Sequence, residues 1–194
     1  MGANAPSLFM KQIAIVGLAD STHNDAPYTN PDWEIWGLPW DEEKWPYFDK
    51  VFELHSLDLL RSLEVPYVSE ERLREVDVPL YMQESYPDIP NAVEYPLNDV
   101  IALTGDYFHS SFSYMMGLAI LEKADKIGVW GIDMTADDEY EYQKSNAEYF
   151  IGFARGRGIE VFIPEESSLL SFDVKGGAVP NKDWTSRYGY LKVA

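Results

Sequence analysis

The chain has no cysteine. Disulfides and thiolate zinc sites are therefore excluded, although the compartment stays open on this ground. Basic residues are scarce, with 15 Lys and Arg against 33 Asp and Glu and a formal charge of -18 at pH 7. Such a field serves solubility and repels nucleic acid at long range, so no nucleic-acid partner is expected. No apolar run approaches the length of a membrane span, so no membrane partner is expected either. Residues Met1 to Ser7 carry no basic region before an apolar core, which argues against a signal peptide and for a cytoplasmic protein. The first glycine-ended apolar run lacks G-x-G-x-x-G spacing, and no G-x-x-x-x-G-K-[ST] loop occurs. NAD and P-loop nucleotides are thus unsupported, and the cofactor is left unassigned. Internal repeats and low-complexity tracts are also missing.

What is present suits one globular domain. The 194 residues are 46% hydrophobic and 14% aromatic, enough for a full core. Strands are predicted at Gln12 to Gly17, Trp33 to Leu38, Lys50 to His55, Val78 to Met82, Lys126 to Asp133 and Ile159 to Ile163. Helices are predicted at Ser56 to Leu63, Leu97 to Thr104, Ser110 to Leu121 and Asn146 to Arg155, the last ended by Gly156 and Gly158. Glu64 to Asp77 reads as a surface loop or helix. The Pro-rich Glu84 to Pro96 reads as irregular, and Thr135 to Lys144 as a mobile acidic loop. Strands alternating with helices predict a Rossmann-like three-layer α/β fold with a mostly parallel sheet. Its body is residues 1–171. Residues 172–194, with Gly176-Gly177, Pro180, Trp184, Tyr188 and Tyr190, read as an arm packing on the body or on a second subunit, which leaves a homo-oligomer open.

In open α/β sheets, ligands bind outside the carboxyl ends of the strands. The polar residues at those ends are therefore the candidates. Gly17, Asp20 and Ser21 follow the first strand, and His55 ends the third. Asp133 ends the strand Lys126 to Asp133, after Gly131-Ile132. Ser110 and Ser111 open the most apolar helix, whose N-terminus would attract an anion such as a phosphate. The plain alternatives are that the serines only cap, that Asp20 to Thr22 only turn the chain, and that Asp133 only begins a loop. Trp33, Trp36 and Trp40 crowd eight residues. They read either as core packing or, at Trp36, as a stacking surface for a base or sugar. A catalytic base would come from Asp20, His55, Asp133 or Glu148. Asp133 with Asp137 or Asp138 has the oxygens for a divalent cation, but the loop reads first as solvated, and no metal site is expected.

The stretch Ser110-Ser111-Phe112, Tyr114-Met115, Ala119-Ile120 and Gly131-Ile132-Asp133 resembles, in content and order, the bacterial sialyltransferases that use CMP-sugar donors. Ile13 to Ser21, Trp33 to Trp40, Val51 to Ser56 and Ile159 to Leu170 follow the same family order, so the resemblance covers most of the chain. The layout is also similar to the Rossmann-like domain of motility accessory factors and of an archaeal pterin pyrophosphokinase. Uncharacterised phage and prophage proteins look closest around Trp33 to Gly37 and Glu148 to Gly158. The resemblance implies a nucleotide or nucleotide-sugar ligand, with Ser111 in the donor site and mobile-loop tyrosines, here Tyr140 or Tyr142, at a leaving phosphate. His55, Asp133 and Tyr140 are then the catalytic candidates. Gly17, Asp20, Ser21, Trp36, Ser110, Ser111 and Tyr142 are the ligand-binding ones. The family's nucleotide-holding asparagines fall at or near Leu18 and Pro39 here. Its catalytic histidine lies beyond the Gly-Ile-Asp strand, where this chain has none. The implied function is a glycosyl or phosphoryl transferase, or a nucleotide-binding or sequestering protein that does no chemistry.

Overall fold

The computed structural model describes residues 10–39, 47–64, 68–135, 139–170, 172–173 and 178–179, and of 139–141, 172–173 and 178–179 the backbone alone. Seven strands form one sheet in the order β5-β4-β3-β2-β1-β6-β7. They are β1 (Gln12–Val16), β2 (Trp33–Gly37), β3 (Lys50–Phe52), β4 (Leu80–Met82), β5 (Ala92–Glu94), β6 (Lys126–Trp130) and β7 (Glu160–Phe162). Every neighbouring pair is parallel. A parallel sheet must be covered on both faces. Helices α3 (Leu97–Thr104), α4 (Ser111–Leu121) and α5 (Glu139–Gly156) lie on one face. There Met115, Met116, Ala119, Phe150 and Ile151 bury Ile13, Ile15, Trp36 and Ile127. The short helices α1 (Leu57–Ser62) and α2 (Glu70–Glu75) set Leu57, Leu60 and Leu73 against Val51, Leu80 and Met82.

The chain leaves β1, moves outward through β2 to β5, then returns to the other side of β1 for β6 and β7. The strand order therefore reverses between β1 and β6, and ligand crevices form at such a point. At the opposite, amino-terminal edge, Lys50 Nζ sits 2.9 Å from Glu34 and 2.6 Å from Glu122. Lys11 also pairs with Glu122. This network ties β1, β2, β3 and α4 together away from the crevice.

Two expectations are corrected. Glu84 to Pro96 is not wholly irregular, because Ala92–Glu94 pairs with β4 as the edge strand. An edge strand needs hydrogen bonds on one side only, so three residues between prolines suffice. The stretch read as a loop up to Lys144 is helical from Glu139. No proline or glycine interrupts residues 139–151, and acidic residues suit a first helical turn. Gly158 then closes the helix with φ +85°, which lets Ile159 N–H reach the Ala154 carbonyl at 3.1 Å. Beyond the sheet, β8 (Phe172–Asp173) and β9 (Ala178–Val179) pair antiparallel. The rest of the expected arm lies outside the described residues.

Candidate functional site

A cavity of about 560 Å³ opens at the carboxyl ends of β1, β3 and β6, under the N-terminus of α4. That volume suits one nucleotide-sized ligand. Its floor is built from two glycines. A Cβ on Gly17 would lie 2.4 Å from the Gly131 carbonyl oxygen, and one on Gly131 would lie 2.5 Å from the Gly17 carbonyl oxygen. Gly131 also takes φ +62°, where a side chain is strained. The close approach is stitched by hydrogen bonds. Gly17 N–H donates to the Trp130 carbonyl at 2.9 Å, and Ala19 N–H donates to that of Gly131 at 2.8 Å. Gly131 N–H donates to Thr22 Oγ1 at 2.7 Å.

One wall is the start of α4. Ser110 holds the N-cap position with extended backbone. Ser113 does the local pairing there, its Oγ donating to the Ser110 carbonyl at 2.6 Å and accepting from Ser110 N–H at 3.3 Å. Ser110 Oγ is buried and has no hydrogen-bond partner among the described residues. A buried hydroxyl without a hydrogen bond costs about 1–3 kcal/mol, so it calls for a ligand or water. Ser111 and Phe112 stand beside it on the cavity wall, in the first helical turn, where N–H groups have no intrahelical acceptor. Asn146 of α5 is fully buried and fixes the approach to α4. Its Oδ1 accepts from His109 N–H at 3.1 Å, and its Nδ2 donates to the Tyr107 carbonyl.

The opposite wall carries His55. The Glu53 carboxylate is buried, with 7% of its side chain exposed. It accepts from His55 N–H at 2.9 Å and from His55 Nδ1 at 2.6 Å. The bond fixes the tautomer: Nδ1 carries the proton, so exchange with a ligand falls to Nε2. The hydrogen bond to Glu53 raises the His55 pKa above its usual value, against an opposing pull from partial burial. Asp133 lies on the wall after β6. The segment after β7 anchors it, with Ser167 Oγ donating to the Ile132 carbonyl at 3.0 Å and Ser168 Oγ to that of Asp133. Met134 continues the wall with φ +51°, an uncommon backbone for a residue with a side chain. Among the described residues no lysine or arginine lines the cavity, and no cluster of three or more metal-ligating side chains occurs.

The structure thus gathers Gly17, His55, Ser110, Ser111 and Asp133 around one cavity. It does not bring Asp20, Ser21, Trp36 or Tyr142 onto the wall. Asp20 points fully into solvent, and Ser21 is exposed. The next two residues turn inward instead, with Thr22 bonding Gly131 and His23 Nδ1 3.1 Å from the Ala19 carbonyl. Trp36 is wholly buried, packed at 5.3 Å and a 37° tilt against Phe52, with Lys50 Nζ 4.6 Å from its ring centroid. Strand alternation faces it into the helix-covered core, so it offers no stacking face to a ligand. Tyr142 is 66% exposed. The Tyr140 side chain, Asp137 and Asp138 lie outside the described residues. Sequence reasoning missed Glu53, His109 and Gln143 as wall residues. Only Glu53 left a signal, as an acid two residues before a histidine in an extended run.

Fold and cavity together define a parallel α/β protein with a crevice at its strand-order switch point. No protein-family model and no curated protein matches the chain. Among solved structures it is similar to the sialyltransferase CstII from Campylobacter jejuni in complex with a substrate analogue, CMP-3FNeuAc. The TM-score is 0.54 at 16% identity, covering 79% of this chain and 80% of that one. It is also similar to CstII in complex with cytidine-5'-monophosphate, at TM-score 0.51, 16% identity and 79% of each chain. A CstII complex with trisaccharide acceptor and CMP gives TM-score 0.50 at 15% identity over 79% and 80%. At such identities the likeness establishes the fold.

Proposed function

We propose that this cavity binds a nucleotide or nucleotide sugar and that the protein transfers a glycosyl group from it, with phosphoryl transfer as the related alternative. The observation that carries the reading is the N-terminus of α4 on the wall of the switch-point crevice, where the buried Ser110 hydroxyl has no partner among the described residues. A phosphate there accepts from Ser110, Ser111 and first-turn N–H groups while meeting the positive end of the helix dipole. The fold shared with CMP-bound CstII supports a cytidine nucleotide as the first ligand to try. In the transfer step an acceptor hydroxyl attacks the anomeric carbon. The carbon–oxygen bond to the donor phosphate breaks, and its electron pair leaves on the phosphate. The acceptor proton passes to His55 Nε2, with Glu53 holding Nδ1–H and stabilising the imidazolium. Asp133, also on the cavity wall, is the second candidate base. We place the activity in the cytoplasm.

A non-catalytic nucleotide binder is the competing reading, favoured by Leu18 and Pro39 where the resembling family has asparagines and by the absence of histidine after His109. The phage-protein resemblance suits a sequestering role of that kind. Calorimetric titration with CMP, followed by incubation with CMP-sugars and mass analysis, separates them. Binding with turnover supports transfer, binding with intact donor supports the binder, and no binding by any nucleotide contradicts both.

A further inference from the structure

Outside the cavity wall, an aromatic corner stands at the rim. Tyr142 on α5 is 66% exposed, and its ring lies 6.5 Å from that of His109 at 49°. Tyr107, 39% exposed, meets His109 edge-on at 5.2 Å and 83°. His109 and Gln143, the neighbour of Tyr142, both line the cavity. The corner is therefore continuous with the crevice. It is also preformed, because buried Asn146 holds the backbone of Tyr107 and His109. Large aromatic faces left in water beside a site call for an occupant. With a nucleotide-sized ligand in the cavity, this corner offers a surface beside it for a second substrate.

We propose that Tyr107, His109 and Tyr142 form the acceptor subsite and that they take a neutral carbohydrate. This rests on the nucleotide reading of the cavity. The apolar C–H face of a pyranose packs on the phenol and imidazole faces, while its hydroxyls hydrogen-bond with the phenol oxygens and Gln143. Neutrality follows from charge. The chain carries -18, Glu53 and Asp133 face the cavity, and no lysine or arginine lines it among the described residues. An acidic acceptor would meet carboxylates with no fixed cation to offset them. Tyr142 is thereby reassigned from a phosphate ligand to a stacking residue.

The test uses the full chain, saturation-transfer NMR with lactose and with glucuronic acid, and CMP titration in parallel. Lactose is expected to bind and glucuronic acid to bind more weakly. Tyr142→Ala and Tyr107→Ala should weaken lactose roughly threefold to tenfold, while Tyr142→Phe, which keeps the ring and loses only the phenol oxygen, weakens it less. CMP affinity should hold in all three variants, whose changed side chains are exposed. The subsite is overturned if wild-type protein binds no lactose, if neither alanine variant weakens it, or if glucuronic acid binds as well. It is equally overturned if Tyr142→Ala loses CMP and keeps lactose, which would return Tyr142 to the phosphate. Loss of the nucleotide reading shows differently, as absence of CMP binding in the wild type.

Discussion

Two side chains carry the site at the scale of single residues, and each makes a separable prediction. Ser110 sits where a capping serine would, in capping-box register with Ser113, but Ser113 N–H donates to the Ser110 carbonyl at 3.0 Å and Ser110 Oγ has no partner among the described residues. Ser110→Ala should therefore leave stability unchanged or raise it, where loss of a true cap costs about 1 kcal/mol. It should weaken CMP about tenfold or more, as expected for a lost hydrogen bond to a charged group. Urea melts and calorimetry on the same variant check both halves. His55 is the second. Its pKa is raised by the hydrogen bond to Glu53. The stability this pair contributes is fully present below the unfolded histidine value of about 6.5 and is lost as pH rises through the folded value. Glu53→Gln should lower the His55 pKa seen by NMR. Its stability deficit relative to wild type should be largest on the acid side and shrink on the alkaline side. A deficit that grows with pH would contradict the pairing.

At the scale of elements, the β1–β6 junction is the part that tolerates least. Gly17→Ala places a Cβ against the Gly131 carbonyl, a backbone atom that cannot rotate away. The expected cost is about 1–3 kcal/mol or more, read from the urea midpoint, and CMP binding should fall with it. Most elements were legible from pattern. The apolar runs of β1 and β6 are flanked by turn residues, and α4 shows helical spacing of Met115, Leu118 and Ala119. What was not legible has physical causes. Edge strand β5 buries little, since Val93 and Glu94 are exposed, so no hydrophobic pattern marks it. The first turns of α5 are too acidic and polar to show an apolar face. The loop after β1 offered Asp20 to His23 as four polar residues, and only tertiary packing decides that Thr22 and His23 turn inward. Strand alternation put Trp36 and Glu34 on one face, but it did not say which face the helices cover. The Glu53–His55 bond was marked only by spacing, an acid two residues before a histidine, and nothing in the sequence showed that this acid is buried.

At the scale of the whole molecule, the charge opposes the proposed nucleotide ligand. A net -18 repels an anionic nucleotide until close range, where the α4 dipole and serines act. Added salt screens the long-range repulsion more than the short contacts. CMP should thus bind no more weakly, and associate faster, as ionic strength rises from low values. A steep salt-induced loss of affinity would instead indicate cationic contacts, which the cavity wall lacks among the described residues. One crevice, at the β1–β6 switch point, is the proposed receiver of the nucleotide. An amide-resolved NMR titration with CMP tests it most directly. Shifts concentrated at Gly17 to Ala19, His55, Ser110 to Phe112 and Gly131 to Asp133 are the expected result, whereas saturable shifts elsewhere, or none, would contradict it.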